Sequence, residues 1–246
     1  MAPDFRFNGR VIGLLGKRRS GKNSVADIVV KRRGQTASVA FADKIKDICR
    51  EVFAFSDEQL HGSLKEVSDK RYPTTHPAHT YAMPDARFCC NCDAARESAP
   101  EQCVSYLTPR KAMQLLGTEW GRACYAPVWV EYTFRKANEL LTGVRVRSKP
   151  FDAGTGTSGK GSYIVDRTDL VFITDVRFTN EIRAVKEAGG EVWKIVRPSL
   201  EVDDGYGAHA SEAEIDAPEN DELLDAAIVN DGTLAELEEK VQLALG

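Results

Sequence analysis

Lys22 follows Gly21 directly and lies in the run Gly16-Lys17-Arg18-Arg19-Ser20-Gly21-Lys22-Asn23-Ser24. Glycines at both ends of such a loop let the backbone wrap closely around a polyphosphate with its amide N–H groups pointing inward. A lysine there brings a mobile positive charge to the outer phosphates. The chemistry these residues suit is therefore the binding of a polyphosphate through Gly16, Gly21 and Lys22. The competing reading is a turn punctuated by glycine with scattered cations. Context decides between the two. Val11 to Leu15 is an apolar run that reads as a strand, and a helical pattern with Val25, Ile28 and Val29 on one face begins directly after the loop. Strand, glycine loop and helix together form the setting a phosphate-binding P-loop requires.

A hydroxyl usually follows the lysine of such a loop and helps to hold Mg²⁺. Here that place is taken by Asn23, and the hydroxyl comes one residue later at Ser24. Nucleoside monophosphate kinases commonly carry Gly-Lys-Gly-Thr, with the hydroxyl in this second place, so the spacing leans towards small-molecule kinases and away from switch GTPases. A second candidate group closes the apolar run Leu170-Val171-Phe172-Ile173-Thr174-Asp175. Ligands of open α/β sheets bind at the carboxyl ends of strands. Asp175 is thus placed to orient Mg²⁺ or an acceptor phosphate, with Arg177 two residues on. Phosphoryl transfer depends on positioning and charge neutralisation, so cations must converge from several chain segments. Lys22, Lys46, Arg110 and Arg177 are spread as that requires, and Trp120 or Trp129 could stack on a base, although large aromatics more often belong to a core.

Around these residues strands and helices alternate. The first helix is expected to run to Arg33 and stop at Gly34. Ala37 to Ala42 reads as the second strand. Asp43 is expected to cap a helix with Ile45, Ile48, Cys49, Val52 and Phe53 at helical spacing, and Lys44 and Lys46 in its first turn are either phosphate contacts or solvated cations. Thr108-Pro109 opens another helix, which Gly117 is expected to stop; residues 117–122 then read as a turn of special geometry. A helix from near Pro127 to Leu141 follows. Thr179 is expected to cap the next helix, Glu191 to Val196 and Ala226 to Val229 read as strands, and Thr233 with Glu236 forms a capping box for a final helix with apolar Leu234, Leu237, Val241 and Leu245. The pattern predicts an α/β fold with a parallel sheet flanked by helices on both faces.

Two stretches interrupt it. Residues 72–106 form a loop-rich insertion holding His76, His79, Cys89, Cys90, Cys92 and Cys103. Cys89, Cys92 and Cys103 could hold a structural zinc ion, with Cys90 or a histidine as the fourth ligand; free thiols are the alternative. Residues 142–168, rich in glycine, read as a flexible excursion or exposed hairpin. The rest is expected to form one domain across residues 1–246.

The net charge of −4 conceals an asymmetry: residues 10–50 hold 11 Lys or Arg against 3 Asp or Glu, whereas residues 199–246 hold one Lys against 14 Asp or Glu. The basic half suits anionic phosphates, and the acidic end, read as solvated surface, argues against a broad nucleic-acid face. No apolar run approaches bilayer length and the N-terminus shows no signal-peptide pattern, so neither membrane nor export is expected.

An ordered set of pieces resembles the deoxynucleoside monophosphate kinases of tailed bacteriophages. They are the loop of residues 16–24, Ile45-Lys46-Asp47, Met113-Gln114-Leu115-Leu116-Gly117-Thr118, Asp175-Val176-Arg177 with Glu181, Gly189-Gly190 leading to Val196-Arg197-Pro198, residues 209–212, and Asn230-Asp231-Gly232-Thr233-Leu234. The resemblance implies a P-loop NTPase-type fold like that of nucleoside monophosphate kinases, and transfer of the γ-phosphoryl group of ATP to a deoxynucleoside 5′-monophosphate. It implies that Arg19, Gly21, Lys22, Asn23 and Ser24 hold ATP, that Ser24 and Asp175 serve Mg²⁺, and that Arg18, Lys46, Arg71, Arg110, Gly117, Thr118, Trp129, Asp175, Arg177 and Glu181 surround the acceptor and the metal. A homodimer in the cytoplasm, the host's if the chain is phage-encoded, completes that expectation. Animal phosphomevalonate kinases share a similar Gly-Lys-Arg-Lys-Ser-Gly-Lys loop, so a kinase of another small phosphorylated acceptor is the alternative. An ATP-binding, zinc-containing nucleic-acid module is a more distant one.

Overall fold

The computed structural model describes residues 5–75, 104–148, 160–164, 166–200 and 214–246. The expected zinc ligands Cys89, Cys92 and Cys103, the glycines 154, 156 and 159, and residues 209–212 lie outside these. The chain divides into two compact units, Met1–Ala42 with Pro127–Gly246, and Asp43–Ala126.

In the larger unit β1 (Arg10–Leu15) leads into α1 (Lys22–Arg33) and β2 (Thr36–Val39). The smaller unit follows, with α2 (Asp43–Phe53), α3 (Asp57–His61), the short strands β3 (Pro73–Thr75) and β4 (Val104–Tyr106), α4 (Pro109–Gln114) and a π-helix over Leu115–Arg122. The larger unit resumes with α5 (Val128–Thr142), β5 (Val144–Ser148), β6 (Lys160–Ile164), β7 (Leu170–Val176), α6 (Thr179–Glu187), β8 (Glu191–Val196), α7 (Pro218–Asp221), β9 (Ala226–Val229) and α8 (Leu234–Leu245).

Five of these strands form one sheet in the order β2-β7-β1-β8-β9, every pairing parallel. Strand side chains alternate faces, and the core divides accordingly. Val11, Leu15, Val171, Ile173 and Val192 pack with Phe134, Ala137 and Leu141 of α5 and Ile182 and Val185 of α6 on one face. Ile12, Leu14, Phe172, Trp193 and Ile195 pack with Val25 and Val29 of α1 and Leu237, Val241 and Leu245 of α8 on the other. This is the expected parallel sheet with helices on both faces. Within the expected excursion, β5 and β6 pair antiparallel, from Val144 opposite Ile164 to Ser148 opposite Lys160.

In the smaller unit the rings of Phe53 and Phe55 stack with centroids 5.3 Å apart, and Tyr72 meets both edge-on. Gly117 does not stop the helix there. It is buried inside the π-helix, where an added Cβ would come within 3.0 Å of Ile45 Cδ1, so the absence of a side chain lets α2 pack closely against the widened turn. Leu234, expected on the buried face of the last helix, is 65% exposed because it sits directly after the Thr233 cap, before the apolar stripe begins.

Candidate active site

β1 runs between β7 and β8, so the loop that leaves it at Gly16 emerges among the carboxyl ends of both neighbours. Gly16 is packed so tightly that a Cβ there would stand 2.5 Å from the Ile195 carbonyl oxygen and 2.7 Å from Ser20 Oγ. Gly21, at φ 103°, caps α1 in a conformation that side chains disfavour, and a Cβ on it would overlap the side-chain amide of Asn230. Arg19 occupies the left-handed region at φ 64°, which costs a non-glycine residue about 1 kcal/mol. A loop built at that cost is held by its surroundings.

Lys22 is the first residue of α1 and only 8% exposed; its Nζ donates to the carbonyl oxygens of Gly16 at 2.6 Å and Lys17 at 2.7 Å. The ammonium thus lies across the mouth of the loop. The first turn of α1 has no acidic residue, so the positive N-terminal end of the helix is left uncompensated, whereas Lys31, Arg32 and Arg33 in the last turn complement its negative end. Ser20 Oγ, beneath the loop, is buried without a hydrogen-bond partner among the described residues. Arg18, Arg19 and Asn23 are exposed, and Ser24 is half-buried. A glycine cradle whose walls exclude any Cβ, closed by a lysine and backed by a helix N-terminus, fits a polyphosphate.

Asp175 lies near the end of β7, where Leu15 of β1 pairs with Val176. Its Oδ1 accepts from Phe41 N at 2.8 Å and its Oδ2 from Ala42 N at 3.2 Å. These bonds explain why β2 ends at Val39 and not, as expected, at Ala42: the last amides turn to a carboxylate instead of a strand. Beyond Asp175, Glu181 is 3% exposed, and its Oε2 accepts from Arg177 N at 3.0 Å and Phe178 N at 3.2 Å. Glu181 therefore shapes the turn that carries Arg177. Thr179 is not the cap of α6. Phe178 takes that place, and the orphan amides go to Glu181 and to Glu214, whose Oε1 accepts from Thr179 N at 3.0 Å.

The remaining expected acceptor residues belong to the smaller unit, apart from Trp129. Lys46 is paired with Asp43 at 3.8 Å within α2, of which Asp43 is the first residue and not the cap. The Arg71 guanidinium grips Asp69, with a shortest contact of 2.6 Å, and holds that carboxyl well below its ordinary value. Arg110, in the first turn of α4, pairs with Glu66, and Thr118 is exposed on the π-helix. Trp129, in the first turn of α5, is 6% exposed, whereas Trp120 is 57% exposed.

Two residues at the loop were given no role by the sequence reading, although Asn230 lies in the resembling stretch of residues 230–234. Asp216, from the acidic end read as solvated surface, accepts from Lys17 Nζ at 2.7 Å and lies 3.3 Å from Lys194 Nζ. Burial pushes the Asp216 carboxyl up, but the two ammonium groups more than offset this and leave it below its ordinary value. The acidic end is tied down here because the basic loop stands opposite it. Asn230 donates from Nδ2 to Ser20 O at 2.9 Å. The signal in the sequence was the resembling stretch of residues 230–234; only the sheet order, with β9 beside β8, brings Asn230 to the loop. Among the described residues no three His, Cys, Asp or Glu side chains group as a metal site, and no helix is long and apolar enough to cross a membrane.

No protein-family model matches the chain. A protein of Acanthamoeba polyphaga mimivirus that carries the provisional description deoxynucleotide monophosphate kinase is 29% identical over 228 residues, which cover 92% of this chain and 91% of that one. A dephospho-CoA kinase from Campylobacter jejuni superposes over 96% of each chain with a TM-score of 0.41 and 14% identity. Along nearly its whole length, then, the chain is similar to a protein described as a kinase.

Proposed function

We propose that the chain transfers the γ-phosphoryl group of ATP to a deoxynucleoside 5′-monophosphate, giving the diphosphate and ADP. The observation that carries this reading is the cradle of Gly16 and Gly21, closed by Lys22 and set beside Asp175 on the neighbouring strand. The likeness to the mimivirus protein supports the choice of acceptor.

In this reading the loop amides and the N-terminal end of α1 bind the phosphates of ATP, with Lys22 exchanging its carbonyl partners for the β- and γ-phosphates. Arg19, Asn23 and Ser24 complete the donor site. An oxygen of the acceptor monophosphate attacks the γ-phosphorus in line, the bond from that phosphorus to the β,γ-bridging oxygen breaks, and ADP leaves with the electron pair. Arg18 and Arg177 neutralise charge on the transferred group. Lys46, Arg71, Arg110, Gly117, Thr118 and Trp129 are assigned to the acceptor by resemblance. Glu181 acts through the turn beneath Arg177. Ser24 and Asp175 offer the hydroxyl and carboxylate oxygens that a hydrated Mg²⁺ accepts, and the ion would draw charge from the phosphates.

The test is to incubate the purified protein with ATP, Mg²⁺ and dAMP, dCMP, dGMP or dTMP in turn, and to follow ADP release. Turnover with at least one acceptor is expected, above the rate with water alone. ATP binding without transfer to any of them, or to a modified pyrimidine monophosphate, would overturn the assignment of the acceptor. Failure to bind ATP would overturn the assignment of the loop.

A further inference from the structure

We propose that Asn230 is a positioning residue that holds the Ser20–Gly21 peptide, and with it Lys22, in the geometry that receives the polyphosphate. The inference rests on the reading of residues 16–24 as a donor-phosphate loop and adds a residue remote from it in sequence.

Three observations converge on Asn230. Its side-chain Nδ2 donates to Ser20 O at 2.9 Å, a contact between residues 210 apart in the chain. Its own backbone N–H donates to Val196 O at 2.7 Å, which extends the β8–β9 pairing by one rung and fixes Asn230 to the sheet. Its side-chain amide also fills the space beside Gly21 that any Cβ would need. The loop therefore meets β8 at Gly16 and a side chain anchored to β8 at Gly21.

Orientation follows from the hydrogen bond. A peptide whose carbonyl is held by Asn230 has the next amide, that of Gly21, directed the opposite way, because the peptide unit is planar and trans. Fixing Ser20 O thus fixes the direction of an N–H in the run that would face phosphate. Gly21 is at φ 103° and offers little resistance to rotation by itself, since glycine lacks the Cβ that narrows backbone freedom. Without the donor from Asn230, that peptide is free to turn. Lys22 begins its helix one residue later, so its ammonium would lose its fixed origin as well.

The role is separable from simple stability. Asn230 is only half-buried, and it lies beyond the last strand and outside both apolar clusters. Asn230→Ala removes the donor; Asn230→Asp keeps the shape but turns a second acceptor towards Ser20 O and adds a negative charge near the phosphates.

The experiment combines amide hydrogen exchange on the intact, ligand-free chain with ATP binding by calorimetry and steady-state kinetics. For Asn230→Ala, exchange is expected to rise across residues 16–24 while β1, β7 and β8 keep their protection. ATP affinity is expected to fall about tenfold, as loss of one well-placed hydrogen bond allows. The KM for ATP should rise without a matching rise in the KM for the deoxynucleotide. Asn230→Asp should bind ATP more weakly still, with thermal stability near that of the parent. Unchanged loop exchange in both variants would overturn the proposal, as would a general loss of protection or lowered stability with ATP affinity intact. If the parent protein binds no ATP, the functional reading fails, whereas the exchange measurement still decides whether Asn230 holds the loop.

Discussion

Gly16 offers a quantitative test of how closely the loop is built against the sheet. An alanine there would put its Cβ 2.5 Å from the Ile195 carbonyl oxygen and 2.7 Å from Ser20 Oγ. The first contact is about 1 Å short of ordinary van der Waals separation, and one partner is backbone in a central strand, which cannot swing aside. The loop must therefore lift by roughly that distance. Overpacking of this kind costs about 1–3 kcal/mol of stability, which in a chain of this size lowers Tm by roughly 2–4 °C per kcal/mol. The effect on activity is expected to be larger. Gly16 O is an acceptor of the Lys22 ammonium, so moving the loop moves the charge. A misplacement of about 1 Å in a positioning group can cost about 10²-fold in rate, equivalent to about 2.7 kcal/mol of transition-state stabilisation.

Gly34 is the control. It ends α1 at φ 63°, but a Cβ on it would meet nothing within 4 Å. Gly34→Ala therefore carries only the left-handed backbone penalty, about 1 kcal/mol, and should leave ATP affinity and turnover as they are. The assay is ADP release with the best deoxynucleotide acceptor, alongside calorimetric ATP binding and thermal unfolding of both variants. Parent-like ATP affinity and turnover in Gly16→Ala would refute the steric argument. Equal losses of activity in both variants would show that reduced stability, and not loop geometry, limits the rate.

Other perturbations test neighbouring parts of the site. Lys22→Met retains most of the apolar stem but removes the ammonium; transfer is expected to fall by about 10²- to 10³-fold with Tm nearly unchanged, and parent-like rates would show that the loop takes no part in catalysis. The Asp216 carboxyl lies below its ordinary value, so its contribution to stability is fully present above the unfolded value of about 3.9 and is lost as pH falls through the lower folded value. The Tm difference between the parent and Asp216→Asn should accordingly hold steady from pH 8 to about 5 and shrink only below about 4; a difference that vanished near neutrality would contradict the ion-pair assignment. Cys49 is fully buried, which pushes its thiol up to about 11, whereas Cys124 is exposed. Iodoacetamide at pH 8 followed by peptide mapping should find Cys124 modified and Cys49 protected until the protein is unfolded, and comparable labelling of the two in the native state would disprove that burial.

What could be read from the sequence was whatever its own neighbours decide. The β1–loop–α1 unit was legible because strand, glycines, lysine and helix are contiguous, and the capping box of Thr233 and Glu236 because both partners lie within one turn. Three of the errors share one physical origin, in that a distant group took a backbone amide or a space. The second strand was read too long because Asp175, 134 residues away, accepts from Phe41 N. Thr179 was read as a cap because Glu214, 35 residues further on, could not be seen to reach it. Gly117 was read as a stop because its close approach to Ile45 is a packing fact.

The candidate site divides along the same line. Residues assigned to the donor phosphates lie within a few positions of Lys22 and announce themselves by type. Those that keep the loop in place come from β8, Asp216 and Asn230, and only the sheet order β1-β8-β9 brings them there. Ligand chemistry in a loop of this kind is a local property of the chain, whereas its rigidity is a property of topology. A substitution at Asn230 or Asp216 should accordingly alter how well the loop is held while leaving every residue proposed to touch phosphate unchanged.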